Sequence, residues 1–306
     1  MRLEKAFFLL FVSSLLVFVR NALADEIPLI DAHSQLPSPE QIETVIPLMN
    51  KAGVHRTILS FRGSAQAMDV LSLAEKNSDR ITPAIKIKGK HWPTGSPKFF
   101  ESVKNQLDAG RFSAMGEVLL YHAAKGTKAP EWTVKTTDKQ FRYVLETSRA
   151  QGWPLVLHIE FRAAPDPDGS MAELVELLRD NRDVAFSLIH MAQMNPAQVA
   201  DLISRHPNVY FMVSHSNPIT ISHTKQPWTN LFDGENMKPE WRTLMVARPE
   251  RFILNFDNVW EEHWSEDYYV AQARLWQATL ATFPKKVAHA IAHGNAERLW
   301  HLPPVR

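Results

Sequence analysis

Cysteine is absent from the 306 residues, which rules out a disulfide framework and thiolate metal sites and leaves a packed core to supply stability. Charge of one sign is also missing as a block. With 34 Lys and Arg against 33 Asp and Glu, the chain lacks the basic stripe that a nucleic-acid surface requires. No internal repeat, heptad array or low-complexity linker occurs, and no Gly-rich turn follows the first strand pattern, as an open dinucleotide-binding sheet would need. The apolar run at residues 6–19 is shorter than the roughly 20 residues that span a bilayer. It follows Arg2 and Lys5, is broken by Arg20 and Asn21, and leads to Ala22-Leu23-Ala24. That order of charge, apolar run and small residues reads as a secretory signal peptide over residues 1–24. The expectation is a periplasmic or secreted protein, residues 25–306, with no stable membrane insertion; an uncleaved anchor is the alternative.

Residues 25–306 alternate short apolar runs with helical patterns. Strand patterns lie at 27–33, 54–61, 81–87, 114–120, 155–159, 184–189, 209–213 and 252–256. Helical patterns follow each, near 38–51, 65–77, 97–109, 138–150, 171–179, 196–204, 239–246 and 264–282, while 163–169 and 220–239 read as loops. Eight strand–helix units in one chain of this length predict an α/β fold, a (β/α)8 TIM barrel forming a single domain. Strands of such a barrel are covered on both faces and should be apolar throughout, with polar residues gathered at one end. His33, Arg62, Lys86, Lys88, His158, His190, His215 and Asp257 fall at or just after the C-terminal ends of strand patterns, and Glu117 lies within the fourth. They should therefore share the mouth where barrel enzymes carry their chemistry.

Several segments carry a resemblance. Leu29-Ile30-Asp31-Ala32-His33-Ser34-Gln35 resembles the opening Asp-x-His-x-His motif of the amidohydrolase superfamily. Met115-Gly116-Glu117-Val118, Leu155-Val156-Leu157-His158, His206-Pro207-Asn208-Val209, the run 249–257 and the closing 291–300 resemble its amidohydrolase-related branch of metal-dependent hydrolases, lactonases and decarboxylases. The resemblance covers essentially residues 25–306. One departure stands out: the second histidine of the opening pair is Gln35, whose amide oxygen suits a hard cation better than zinc.

The resemblance implies an enzyme that hydrolyses a small lactone, ester or amide, and the cations at the strand ends imply that the substrate is carboxylated. His33, His158 and Asp257 would hold one divalent ion, zinc or manganese, and metal-independent catalysis stays open as well. Asp257 would act as base toward water and His190 would polarise the substrate carbonyl. Glu117 has two readings, a catalytic one and a salt bridge to Lys86 or Lys88. Arg62, Lys86, Lys88 and Arg162 would form a cationic wall for the substrate's acid group, with Trp260 and the further loop tryptophans Trp92, Trp132 and Trp228 packing on its body. His215 and His289 read as ordinary hydrogen-bonded histidines. A metal-dependent decarboxylase of an aromatic acid and a catalytically silent binder of small acids are the alternative functions. The oligomeric state stays open, a homodimer being one form.

Overall fold

The computed structural model describes residues 27–127 and 129–305, so the expected leader lies outside the described residues. The parallel strands are β1 (Leu29–Leu36), β2 (Val54–Phe61), β3 (Ile81–Ile85), β4 (Ala114–Met115), β5 (Val118–His122), β7 (Leu155–Ile159), β8 (Phe186–Leu188), β9 (Val209–Met212) and β12 (Phe252–Ile253). A short β6 (Trp132–Thr133) returns antiparallel to β5, and β10 (Phe232–Asp233) forms a hairpin with β11 (Asn236–Met237). Pairing runs β1-β2-β3-β4 in one sheet and β12-β9-β8-β7-β5-β6 in the other. β4 and β5 are two halves of one stave, interrupted at Gly116-Glu117, so the staves number eight.

Three backbone hydrogen bonds close the ring between the segment after β12 and β1. Ala32 N donates to Leu254 O (3.1 Å), Gln35 N to Asn258 O (2.8 Å) and Asp257 N to His33 O (2.9 Å). Asp31 fastens this seam from within, accepting from Phe256 N (2.8 Å) and from Ser34 Oγ (2.6 Å), whose oxygen in turn accepts from Asn258 N (3.0 Å). The first acid of the opening motif is thus a structural tie. A buried carboxylate is tolerable there because donors surround it.

One helix follows each stave: α1 (Ile42–Lys51), α2 (Ala67–Lys76), α3 (Pro97–Asp108), α4 (Lys139–Gln151), α5 (Pro167–Asp180), α6 (Pro196–Arg205), α8 (Pro239–Ala247) and α9 (Ala271–Ala281). The short α7 (Pro218–Ser222), α10 (Lys285–His289) and α11 (Asn295–Leu299) are additions. Ile30, Ala32, Ile58, Ala84, Val156, Met212 and Ile253 fill the barrel interior with Leu299 and Trp300 of the C-terminal segment, a second buried cluster packing between staves and helices. Each of the larger aliphatic side chains among them contributes about 1.5–3 kcal/mol of burial.

Most expected boundaries hold, and the differences have local causes. β1 runs to Leu36 because Gln35 and Leu36 pair with Ser60 and Phe61, which puts His33 inside the strand rather than at its end. α5 starts at Pro167, within the stretch expected to be loop, since Asp166 Oδ1 accepts from Gly169 N (2.9 Å) and caps it. The expected loop 220–239 holds the end of α7 and the β10–β11 hairpin, turning at Gly234 with φ +56°. The long helix expected over 264–282 is a π-helical turn, Glu266–Val270, leading into α9.

Candidate active site

The C-terminal ends of the staves open into a cavity of about 500 Å³, and most of the expected residues meet there. Asp257, whose backbone N–H is part of the seam, is buried at the floor with its backbone in the left-handed region at φ +51°. His190 (φ +56°) and His215 (φ +53°) share that conformation, and the left-handed turn begun by His190 continues through Gln193. For residues other than glycine this costs about 1–3 kcal/mol each, a form of strain that clusters at functional sites when packing enforces it. Here it turns three side chains toward one point. His33 Nε2 lies 3.4 Å from Asp257 Oδ1, while His190 Nε2 and His215 Nε2 lie 3.4 Å and 3.8 Å from Oδ2. The His190 and His215 rings stack at 4.4 Å, and the hydroxyl of Ser214 sits 2.9 Å from His190 Nδ1, fixing that ring.

A second layer of charge stands beside this floor. Glu117, at the break between β4 and β5, accepts from His158 Nδ1 (2.6 Å) and from Lys88 Nζ. The other nitrogen of His158 donates to Glu160 Oε1 (2.6 Å), and Lys125 Nζ donates to both oxygens of Glu160 (2.6 Å each) and to Gln226 Oε1 (2.9 Å). The result is a chain of alternating charge: Lys88, Glu117, His158, Glu160, Lys125. Burial alone would depress His158, but the two flanking carboxylates lift it to about 9. Burial would likewise raise the acids, yet His158 and Lys125 draw Glu160 down to about 2, and Lys88 with His158 holds Glu117 well below the carboxylate range. The three histidines around Asp257 behave oppositely. Burial keeps them neutral, pushing His33 to about 4, His215 to about 3 and His190 well below its ordinary value. Burial, with the charge of Glu117, raises Asp257 well above the usual range.

The expected metal trio is drawn together only in part: His33 and Asp257 meet, while both ring nitrogens of His158 lie against carboxylates and His158 falls in other donor groups, with Glu117 and His190 and with His122 and Glu160. Two donor groups around Asp257 do converge, His33 with Glu117 and Asp257, and His190 with His215 and Asp257. The second is the better fit to a divalent ion. Both His215 nitrogens are buried without a hydrogen-bond partner, and two imidazoles with one carboxylate make a three-ligand set with an open position. Gln35, by contrast, turns its amide nitrogen to Glu117 Oε2 (3.4 Å) and His33 Nε2 (3.3 Å), acting as a donor. His215, read from the sequence as a structural histidine, is therefore part of the floor. Its place directly beyond β9, next to Ser214, was the available signal.

The cationic wall also divides. Arg62, Lys86 and Lys88 line the cavity, and the Arg62 guanidinium stacks 3.8 Å over Trp260. Arg162 is exposed and absent from the lining, its backbone N–H donating to Gln193 Oε1 (3.0 Å). Trp132, Trp228 and Trp260 line the cavity, whereas Trp92 is fully buried in the core and donates to Leu119 O (2.8 Å). Glu117 makes the expected ion pair with Lys88 and a further one with His158. His289 sits in α10, away from the cavity lining. Glu160 and Lys125 were not anticipated. Glu160 lies one residue past β7, two after His158, and so occupies the same face of the strand.

Solved structures with this architecture include an uncharacterised TIM-barrel protein of Bordetella bronchiseptica (TM-score 0.62, 16% identity, covering 90% of this chain and 99% of that one). A 4-oxalomesaconate hydratase of Rhodopseudomonas palustris aligns with TM-score 0.58 and 13% identity, covering 89% of this chain and 95% of that one. A probable 2-pyrone-4,6-dicarboxylic acid hydrolase of Acinetobacter baumannii, with citric acid bound, aligns with TM-score 0.54 and 13% identity, covering 89% and 99%. At such identities the likeness is one of fold. No curated protein matches the sequence. Residues 91–302, more than half of the chain, match the amidohydrolase family model, and with the barrel and its histidine-ringed carboxylate in place the chain belongs to the amidohydrolase family.

Proposed function

We propose that this protein is an exported hydrolase that cleaves a small carboxylated lactone, ester or amide by attack of water at the floor of the barrel mouth. One observation supports the reading above others. A buried aspartate, Asp257, is ringed by three neutral histidines and keeps one carboxylate oxygen without a hydrogen-bond partner, in a cavity whose wall carries Arg62 and Lys86.

Asp257 accepts the proton of the attacking water and returns it to the leaving oxygen or nitrogen. His33 lies against Oδ1 and holds that carboxylate toward the cavity. His190, oriented by Ser214, offers its Nε2 to the substrate carbonyl and stabilises the oxyanion that forms. Arg62 and Lys86 hold the acid group, and the indole of Trp260 keeps the guanidinium flat against the wall. Trp228, 4.6 Å from the His190 ring, shields the reacting groups from bulk water. His190, His215 and Asp257 are the residues that would hold a divalent ion. Such an ion, when bound, supplies a water acidified toward a pKa near 7.

The test is turnover on carboxylated lactones, esters and amides beside uncharged analogues, with aromatic acids included for decarboxylation. Asp257→Asn should lower hydrolysis by roughly 10²–10⁴-fold while leaving ligand binding in place. Undiminished hydrolysis in that variant, or release of carbon dioxide from an aromatic acid with no hydrolysis, would overturn the proposal. Elemental analysis of protein purified without chelator, set beside His215→Asn, reads metal content independently of activity.

A further inference from the structure

Four lysines or arginines stand on or behind the inner wall of the cavity, and they are not equivalent. Lys88 is paired with Glu117 and Lys125 with Glu160, while His158 joins the two carboxylates. That chain carries three positive and two negative charges, each of them hydrogen-bonded to a neighbour within the chain. Arg62 and Lys86 differ. No ion pair joins either to a described carboxylate, Arg62 resting on Trp260 and Lys86 lying 5.3 Å from the centre of the Phe61 ring. They stand at the ends of the neighbouring staves β2 and β3, close enough that Arg62 and Lys88, after burial itself, depress Lys86. Two partly desolvated cations that repel one another form a seat for one anion between them.

The next part of the wall is uncharged. Leu119, His122 and Trp132 line the β5–β6 side, and burial keeps His122 neutral, pushing it to about 4. Lys125 would have placed a positive charge here, but both of its short contacts to Glu160 cancel it, and its ammonium also packs 4.9 Å over Trp228. Lys225, the other lysine of the lining, is exposed at the rim, where water screens it.

We infer that the site selects a ligand with a single carboxylate, seated between Arg62 and Lys86, and a neutral, ring-sized body lying toward Leu119, His122 and Trp132, with Glu160 the specificity-determining residue. Glu160 does this by holding the Lys125 ammonium on both of its oxygens, so a second carboxylate on the ligand meets a cation already paired and lies near a buried acid. The inference rests on the reading of Arg62 and Lys86 as the acid-binding wall, and it does not depend on the reaction being hydrolysis.

Isothermal titration of the mature chain with phenylacetate and with 1,3-phenylenediacetate tests it. The monoanion should bind at least about ten-fold more tightly than the dianion, a difference of about 1.4 kcal/mol. Glu160→Gln, which frees Lys125 at nearly constant shape, should shrink or reverse that ratio. The double variant Lys125→Met with Glu160→Gln removes both charges and should restore it. Arg62→Met should weaken phenylacetate by about 30-fold or more, the usual result of losing one partner of a buried charge pair. Equal or tighter binding of the dianion to the unsubstituted protein overturns the inference, as does a ratio that Glu160→Gln leaves unmoved. Should Glu160→Gln fail to fold, the ratio in the unsubstituted protein still decides. Selective monoanion binding without any hydrolysis would retain this inference and remove only the hydrolytic reading.

Discussion

At the scale of single residues, environment separates groups that look alike in sequence. Glu117, at the break in the fourth stave, and Asp257, after the last, are both buried carboxylates, yet one is surrounded by Lys88 and His158 and held ionised, while the other faces three neutral imidazoles and is pushed up by burial. His158 and His190 differ in the same way: carboxylates clamp both sides of the first, and the second touches a hydroxyl and a neighbouring ring. The cations sort by the same logic. Arg162→Ala should leave kcat and KM within about two-fold, because an exposed charge outside the cavity contributes little. Steady-state kinetics beside Arg62→Ala checks this; a loss for Arg162→Ala as large as that for Arg62→Ala would place the acid group on the wrong side of the mouth.

At the scale of elements, the interruption of the fourth stave positions Glu117. Gly116 N donates to Ile85 O (2.9 Å), and a Cβ on Gly116 would stand 2.6 Å from that same carbonyl oxygen and 3.2 Å from Ser60 Oγ. Gly116 therefore lets β4 and β5 approach β3 closely enough for Glu117 to reach both Lys88 and His158. Gly116→Ala should destabilise by about 1–3 kcal/mol, the usual cost of forcing a methyl group into packed backbone. Turnover should fall further than stability alone explains, as Glu117 moves. Urea unfolding and kcat measured on the same preparation test the pair of effects, and a stable variant of full activity would show that the close approach is dispensable.

At the scale of the whole molecule, the charge chain couples stability to pH from both sides. His158 has a folded value near 9 against an ordinary 6.5, so its contribution is complete below about 6.5 and is lost as pH rises through 9. Glu160 has a folded value near 2 against 4.5, so its contribution is present above 4.5 and is lost as pH falls through 2. The melting temperature should be highest between those limits and fall toward both extremes. In His158→Gln the alkaline fall should flatten, and an unchanged slope there would locate the alkaline limit elsewhere. No helix among the described residues is long and apolar enough to cross a membrane. The proposed export rests on the sequence of residues 1–24 alone: mass spectrometry of protein recovered from the periplasm or medium should find a chain starting at Asp25, and one retaining Met1 would contradict cleavage.

The sequence by itself determined the eight strand–helix units, because a parallel barrel covered on both faces leaves continuous apolar runs that periodicity and turn residues delimit. It also marked His33, His190 and Asp257 as residues that would gather at one end, since they interrupt apolar patterns where burial without a partner would be costly. The tertiary structure alone decided the partnerships. Whether His158 is a ligand or a clamped cation depends on Glu117, 41 residues away, and on Glu160 at i+2, and no spacing rule encodes the first of those distances. His215 became part of the floor, and Arg162 left the wall, through left-handed backbone turns and loop paths that follow from packing across the whole ring. Local order writes periodicity into a chain, whereas charge pairing across a barrel is settled only when distant staves close.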